Sequence, residues 1–320
     1  MIERLHSTRR TPTGPGPVLF AALALLLMLA GLFEQTFYVK LLTRAINLAL
    51  ASLALDLLVG LAGLVSLGQA AFMGVGAYAV AILAEHGIAS APIQWLVGTG
   101  AAAFLALLVG VPSLRTRGVH FIMITLAFAQ MLYFVANSLS RYGGNDGMTI
   151  WLPSRLPGGI SLSRPETLAW LSLSFLVFAH LGLARLRASR FGRVLRGAKE
   201  NERRMLALGF AVDHYRLAAF GLSGALTGLA GALLAHLTEY VAPAYMSWHR
   251  SGELLAMVVL GGLGGSHGAI VGAFLFVALE EVLTRFTTHW ALIFGPFLVV
   301  AVLSRRGAAF LDWFFSRRRP

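Results

Sequence analysis

The charged side chains of this 320-residue chain are concentrated in one hydrophilic segment, residues 189–209, although only 12% of the chain is charged. Basic residues follow one another there at intervals of three, and Glu200 and Glu202 are the only acids among them. Such intervals place side chains on one helical face, which predicts short amphipathic helices at a membrane surface. Gly209 can take the left-handed conformation that ends a helix. We expect the segment to contact another protein, with both acids pairing with its basic groups.

Residues for catalysis or metal binding do not occur in any recognisable pattern. The nine histidines are scattered, with no His-Glu-x-x-His spacing, and the absence of cysteine excludes disulfides and thiol chemistry. A phosphate-binding P-loop needs a lysine directly after glycine, but Lys40 follows valine and Lys199 follows alanine. We therefore expect no enzyme activity and no cofactor in this chain. If ATP drives the protein, another subunit must bind it.

Polar residues inside apolar stretches form a second group of candidates. Asp56 is predicted at the middle of an apolar span, where an ionised group facing lipid costs several kcal/mol. Such residues either join neighbouring helices by hydrogen bonds or line a transport path, and both interpretations stay open. The polar loop 143–147 is equally compatible with an ordinary outer turn. The candidate path residues are Asp56, Ser66, Gln69, Thr125, Gln130, Asn145 and Asp146.

Composition identifies the elements that must position these residues as membrane helices. Hydrophobic residues make up 57% of the chain and the mean hydropathy is +0.74, well above soluble proteins. We predict an all-α polytopic transmembrane bundle of about eight to ten spans. The segment 254–263 is too short to cross a membrane and runs into glycines, so we expect a half-helix or re-entrant segment. The predicted spans are 18–33, 46–65, 70–84, 92–111, 119–137, 168–186, 217–237, 254–263, 269–283 and 290–303.

The distribution of basic residues predicts the orientation. Basic residues lie at the ends of apolar spans, which opposes a nucleic-acid partner despite the net charge of +12. The positive-inside rule places both termini and the loop 187–215 in the cytoplasm, with 1–17 as an N-terminal segment, 18–304 as the transmembrane domain and 305–320 as a basic tail. Seven of the 26 basic residues then fall outside: Lys40, Arg44, Arg141, Arg155, Arg164, Arg250 and Arg285.

Two segments resemble each other. Residues 66–76 and 265–272 are each a glycine-rich break that leads into a helix of small residues. Small residues allow close helix packing in lipid, which is the simpler interpretation. The alternative is an internal repeat with two corresponding broken helices beside a transport path.

The chain resembles the permease subunits of bacterial ABC importers for branched-chain amino acids, of the LivM type. The segment 66–78 matches the family's Ser-Leu-Gly-His-Ala-Ala-Phe pattern, with Gln69 where histidine is common. The segments 117–128 and 143–147 resemble two that distinguish this type from its partner permease, and 257–268 matches a further hallmark. The resemblance extends over nearly all of residues 40–305.

The hydrophilic segment is similar to the cytoplasmic coupling segment of that family, which docks on the ATPase. Arg204 and Met205 replace a common Ala-Ala pair there, which changes the docking contacts expected in detail. The resemblance implies a role in ATPase coupling for Phe191, Gly192, Arg193, Arg196, Glu200, Asn201, Glu202 and Gly209.

The resemblance also implies the partners and the mechanism. A second permease, two ATP-binding cassette ATPase subunits that bind the ATP, and a periplasmic solute-binding protein would assemble with this chain in the lipid bilayer of the inner membrane. Transport would follow alternating access. Related permeases serve urea and short amides, so the solute stays open. A self-sufficient secondary carrier is a rival that the missing ladder of carboxylates or histidines disfavours, and a membrane-embedded enzyme is a second.

Overall fold

The computed structural model describes residues 16–32, 36–159, 161–265, 267–287, 289 and 292–300, and most of them are helical. The predicted all-α class is confirmed. Most of the predicted N-terminal segment and the whole basic tail lie outside the described residues. The helices are α1 (Gly16–Leu32), α2 (Thr36–Asp56), α3 (Gln69–Glu85), α4 (Ala91–Ser113), α5 (Val119–Ser138), α6 (Pro165–Ala188), α7 (Arg190–Glu200), α8 (Glu202–Ala207), α9 (Val212–Thr238), α10 (Trp248–Gly261) and α11 (Gly268–Phe286).

Every predicted span up to 269–283 overlaps a helix. Within the described residues, α4, α5, α6, α9 and α2 with its extension to Ala62 are long and apolar enough to cross a membrane. The predicted start of α2 was wrong by ten residues, from 46 to 36. An ion pair of 2.7 Å between Arg44 and Glu280 explains the error, because it lets a charged residue continue the helix. Of the last predicted span, residues 292–300 are helical and the remainder lies beyond the described chain.

Helix α2 forms the centre of the bundle. All residues from Ala45 to Val59 are buried, and α6, α9, α10 and α11 pack around them. The helix ends in a π-helical turn, Leu57–Ala62, that Gly63 terminates with a left-handed backbone (φ 72°). A helix that is buried on every face in this way is one that other helices enclose on all sides.

Helices α4 and α9 pack closely and antiparallel because small residues occupy their shared face. Gly98, Ala102 and Ala106 recur every four residues on α4, opposite Gly224 and Gly228 on α9. A Cβ added at Gly228 would overlap the Cβ of Ala102, and one added at Gly224 would overlap that of Ala106. Without a hydrophobic effect between helices in lipid, such close backbone approach supplies the attraction through van der Waals contact.

Two breaks interrupt the helical bundle where the sequence predicts them. Residues 63–68 run without regular structure into α3, and residues 262–265 and 267 are non-helical between α10 and α11. The short predicted half-helix is also confirmed, since α10 has 14 residues and ends at Gly261. It folds back on α11 as a tight hairpin, because a Cβ added at Gly272 would overlap the carbonyl oxygen of Met257.

A small antiparallel sheet joins two loops at the end of the bundle where α5 and α9 terminate. Strand β1 (Met148–Thr149), after α5, pairs with β2 (Tyr240–Val241), after α9, with Met148 opposite Val241. The phenolic hydroxyl of Tyr240 donates to the carbonyl oxygen of Asp146, which holds the predicted polar loop against the turn that leads into α10.

Candidate functional site

The charged segment folds into the two short helices α7 and α8, as predicted. Helix α7 is amphipathic, with Val194, Leu195 and Ala198 buried against the bundle and its cations on the opposite face. Gly192 lies where a Cβ would come within 2.5 Å of the carbonyl oxygen of Arg187, so only glycine allows α7 to turn back so closely on α6. Phe191 adds a ring contact with Tyr215 at the start of α9, with 5.6 Å between centroids.

The cations of α7 bind carbonyl groups at the ends of neighbouring helices. Arg193 and Arg196 donate to the carbonyl oxygens of Ala188 (2.9 Å) and Arg187 (2.6 Å), in the last turn of α6. Lys199 donates to the carbonyl oxygen of Gly60 at 2.8 Å, in the π-helical turn after α2. Helix C-termini carry unpaired carbonyls and partial negative charge, which cations stabilise. These three cations therefore attach the segment to α2 and α6.

Asp56 is the centre of a buried polar cluster beside that segment. Its Oδ2 pairs with Arg187 at 2.6 Å, and its Oδ1 accepts a hydrogen bond of 2.8 Å from the backbone N–H of Gly264. The prediction that Asp56 lies at mid-span was wrong, because α2 starts early and places Asp56 in its last turns. The carboxylate joins α2, α6 and the break before α11, which fits the structural interpretation of a buried acid.

Glu202 belongs to a second ion-pair cluster. Its carboxylate contacts Arg117, just before α5, at 2.6 Å and the buried Arg216 of α9 at 3.2 Å. The expectation that Glu202 pairs with basic groups of another protein was therefore wrong, because two arginines of the same chain already hold its carboxylate. Glu200, by contrast, is exposed. The effect of Glu202 is to attach α8 to the transmembrane helices.

Helix α8 presents an apolar patch to its surroundings. Asn201 caps the helix by accepting a hydrogen bond from the backbone N–H of Arg204 at 3.0 Å, and Gly209 ends the segment at φ 83°, the left-handed backbone predicted for it. At the end of α8 and on either side of Gly209, the side chains of Leu206, Leu208 and Phe210 are exposed, Leu208 to 65%. These three residues are termed the α8 patch. The sequence predicts Leu206 and Leu208 as the apolar part of an amphipathic surface helix, and the structure adds Phe210 to them.

Three of the predicted path residues come together at the break before α3. The hydroxyl of Thr125 accepts a hydrogen bond from the N–H of Leu67 at 3.3 Å, and Ser66 accepts one from Gly68 at 3.1 Å. Gln69 follows directly as the first residue of α3. Ser66, Gln69 and Thr125 are fully buried, so these three side chains are enclosed within the bundle in this conformation.

The amide of Gln69 is incompletely satisfied. The hydroxyl of Thr227 lies 3.0 Å from Gln69 Oε1 and 2.8 Å from the carbonyl oxygen of Ser223. A hydroxyl has one hydrogen and can donate to only one of these two acceptors. If it donates to Ser223, a flipped Gln69 amide donates to Thr227, and either orientation leaves one amide atom unpaired among the described residues. An unpaired buried amide is costly and is a suitable contact for a solute or a water molecule.

The other predicted path residues lie elsewhere. Gln130 is half-buried on α5, and Asn145 and Asp146 are exposed in the loop beyond the far end of that helix. About 20 Å of α5 separates Thr125 from this loop. The structure thus places the loop 143–147 at the opposite end of α5 from the break and does not bring it together with Ser66 and Gln69.

No group of three or more potential metal ligands occurs within the described residues. Two histidine rings do approach one another, since His180 on α6 and His267 before α11 have centroids 4.8 Å apart. Burial lowers the pKa of His267, and the nearby guanidinium of Arg187 lowers it further. The ring of His267 is therefore neutral at neutral pH and adds no charge to the Asp56 cluster.

Known proteins with similar sequences are transport permeases. The chain is 29% identical over 278 residues to the high-affinity branched-chain amino acid transport system permease protein LivM of Escherichia coli K12, covering 79% of this chain and 65% of that protein. It is 26% identical over 272 residues to the probable branched-chain amino acid transport permease protein LivM of Methanocaldococcus jannaschii, covering 73% and 77%. It is 28% identical over 223 residues to the autoinducer 2 import system permease protein LsrC of Yersinia pestis, covering 64% and 61%.

No solved structure matches the chain. A family match, however, covers residues 37–303, which is most of the transmembrane region described above. It includes both breaks, the helices α7 and α8 and every predicted path residue. The chain therefore belongs to the family described as branched-chain amino acid transport system / permease component.

Proposed function

We propose that this chain is the transmembrane permease subunit of an importer for branched-chain or other small amino acids, driven by separate ATPase subunits. It forms the path with a second permease, receives solute from a periplasmic binding protein and moves it by alternating access. Two ATPase subunits bind the ATP, while this chain holds no cofactor, catalyses no reaction and binds no nucleic acid. The transport functions of the LivM relatives support this proposal.

The proposal is supported mainly by the two sides of the α7–α8 segment, one attached to the transmembrane helices and the other exposed. Lys199 and Glu202 attach it to α2, α5 and α9. Its α8 patch is apolar and exposed beside the cations Arg203 and Arg204. A segment that is attached to several transmembrane helices on one side, and exposes apolar side chains on the other, is suited to transmit the movement of a docked subunit to the bundle.

Replacing Leu208 in the α8 patch by aspartate is expected to reduce capture of the ATPase subunits in a pull-down by at least about tenfold. A buried leucine at an interface contributes roughly 1.5–3 kcal/mol, and a carboxylate there adds a desolvation cost. Leu208 is exposed, so the substitution should leave the fold of the subunit unchanged. Ile88→Asp, at an exposed site in the loop after α3, is the matched control. Equal capture by both variants would contradict docking through the patch.

We further propose that the α7–α8 segment faces the cytoplasm and that both termini lie on that side of the inner membrane. The chain has no cysteine, so single cysteines report their own accessibility. Ser163→Cys, before α6, should react in intact cells with an impermeant maleimide, whereas Ala207→Cys on α8 should react only after the membrane is opened. Both sites are exposed, which makes them a matched pair. Labelling of Ala207→Cys in intact cells would overturn this orientation.

The break before α3 is our proposal for the inner half of the solute path. Ser66, Gln69 and Thr125 supply hydroxyl and amide groups there, and the incomplete hydrogen bonding of Gln69 supports a contact that forms during transport. Asn145 and Asp146 are proposed at the outer end. We expect Gln69→Ala to insert normally and to slow solute uptake. Normal uptake by this variant would assign Gln69 to helix packing alone.

The solute is the least constrained part of the proposal. The LsrC relative is an autoinducer 2 permease, so the family match accommodates more than one kind of solute. Permeases for urea or short amides are the alternative within the family. Direct binding measurements on the periplasmic binding protein that works with this chain would decide between them.

A further inference from the structure

Helix α10 begins about halfway along the bundle. The hydroxyl of Ser251, in its first turns, accepts a hydrogen bond of 3.1 Å from the N–H of Ala70, beside Gln69. Gln69 in turn contacts Thr227 of α9. Thr227 lies fifteen residues, or about 22 Å, after Val212, the first residue of α9. About 17 Å of helix remain from Thr227 to Thr238, the last residue. The start of α10 is therefore level with the centre of α9.

The other end of α10 gives the same depth independently. After Gly261 the turn reaches Gly264, which contacts Asp56 in the last turns of α2. The 14 residues of α10 span about 20 Å from this inner level, roughly half the length of α9. The chain between α9 and α10 thus re-enters the bundle from its outer end. The expectation that Arg250 lies outside the membrane was wrong, because it overlooked this re-entry.

An ion pair is partly exposed at this depth. Arg250 and Glu253, one turn apart on α10, approach to 2.6 Å, and their side chains are 32% and 26% exposed. Charged groups at mid-membrane depth are costly in contact with lipid and occur mostly beside water-filled cavities or other proteins. The position of Arg250 does not help the helix either, because a cation in the first turn opposes the helix dipole. Lipid contact therefore does not account for the pair, and the helix dipole disfavours its cation.

We propose that Arg250 and Glu253 line the solute path at mid-membrane and bind a zwitterionic solute. The guanidinium of Arg250 donates to the solute's carboxylate, and the carboxylate of Glu253 accepts from its ammonium group. When the solute binds, each side chain gives up its contact with the other and pairs with the opposite charge of the solute. Neither charge is then left unpaired. The positive end of the α10 dipole also favours a carboxylate at this position. The inference rests on the proposed permease function and adds to it the two side chains that hold the solute.

Exchanging the two charges tests the proposal most sharply. The double variant Arg250→Glu with Glu253→Arg retains an ion pair and places the acid nearer the helix N-terminus, where the dipole favours it. We expect normal insertion and normal assembly with the ATPases, but L-leucine uptake reduced about tenfold or more, because charge-assisted contacts to the solute are lost. Uptake of L-leucine at the wild-type rate would identify a structural ion pair and overturn the inference.

Thiol labelling distinguishes a water-filled path from a lipid-facing or protein-covered surface. Glu253→Cys should react with the small cationic reagent MTSET in the assembled importer, and L-leucine delivered by the binding protein should slow the reaction. Phe104→Cys is the control at similar depth, since Phe104 is 65% exposed and follows Ala102, which packs on Gly228. We expect no reaction there. Equal labelling at both sites, or none at Glu253→Cys, would contradict the proposed path.

A comparison of solutes separates this inference from the proposed function. If the wild-type complex accumulates acetamide but not L-leucine, the chain is a permease and the zwitterion inference is wrong. If the wild-type complex, with ATPases and binding protein present, accumulates neither solute nor any other bound by its binding protein, the proposed function itself fails.

Discussion

Replacing Asp56 by alanine is expected to lower the free energy of unfolding of the subunit by roughly 3–5 kcal/mol, because it leaves a buried guanidinium without its carboxylate. Asp56 is fully buried and Arg187 is only 13% exposed. The substitution also removes the acceptor for the backbone N–H of Gly264. The measurement is the midpoint of thermal unfolding in detergent, followed by the loss of the monodisperse peak in size-exclusion chromatography.

Two comparisons make this result specific. Arg285→Ala breaks an exposed ion pair with Glu281 and should cost about 1 kcal/mol or less. Replacing both partners of the buried pair, Asp56→Leu with Arg187→Met, should recover much of the lost stability, because no uncompensated charge remains. If Asp56→Ala were no less stable than Arg285→Ala, the buried cluster would not hold α2 to α6.

Glu202→Arg is expected to abolish ATP-driven uptake while the subunit still inserts. The new guanidinium would face Arg117 and the buried Arg216, so three cations would meet where an acid now pairs with two. Leaving Arg216 unpaired costs roughly 3–5 kcal/mol, which is enough to detach α8 from α5 and α9. Solute-stimulated ATP hydrolysis in the reconstituted complex should then fall to its basal rate.

Glu200→Arg is the matched control, with the same change two residues earlier on the exposed face of α7. A single exposed charge is worth at most about 1 kcal/mol, so coupling should largely persist. Limited proteolysis adds a structural readout, because a detached α8 should be cleaved faster in the Glu202 variant alone. Equal coupling and equal cleavage in both variants would show that the Glu202 cluster does not attach the segment.

Local sequence patterns predicted the helices well. The half-helix α10 was predictable because the apolar run ends at the helix-breaking Gly261–Gly265 stretch, and the left-handed backbone of Gly209 followed from its place after a short apolar turn. The two short helices of the charged segment were predictable from the spacing of its cations. In each case the signal lies within a few residues of the feature.

The roles of individual charges could not be predicted, because their partners are distant in the sequence. Asp56 and Arg187 are separated by 131 residues, and Glu202 and Arg117 by 85. The sequence shows that Asp56 and Glu202 are charged, but it does not show whether the partner of each lies in this chain or in another protein. The depth of Arg250 could not be predicted for the same reason. The re-entry of α10 is visible only from the contact between Ser251 and Ala70, which are also distant in the sequence.

The close packing of α3, α4 and α9 restricts how this protein can move. A Cβ at Gly76 would overlap the carbonyl oxygen of Gly228, and one at Gly231 would overlap that of Met73, so α3 and α9 cannot slide past each other without a clash. We therefore expect these helices to move together as one body. Residues 63–68, which have no helical structure, connect this body to the end of α2, where Lys199 binds the carbonyl oxygen of Gly60. We expect a change of conformation during transport to bend the chain at this connection and to leave the helices on either side intact.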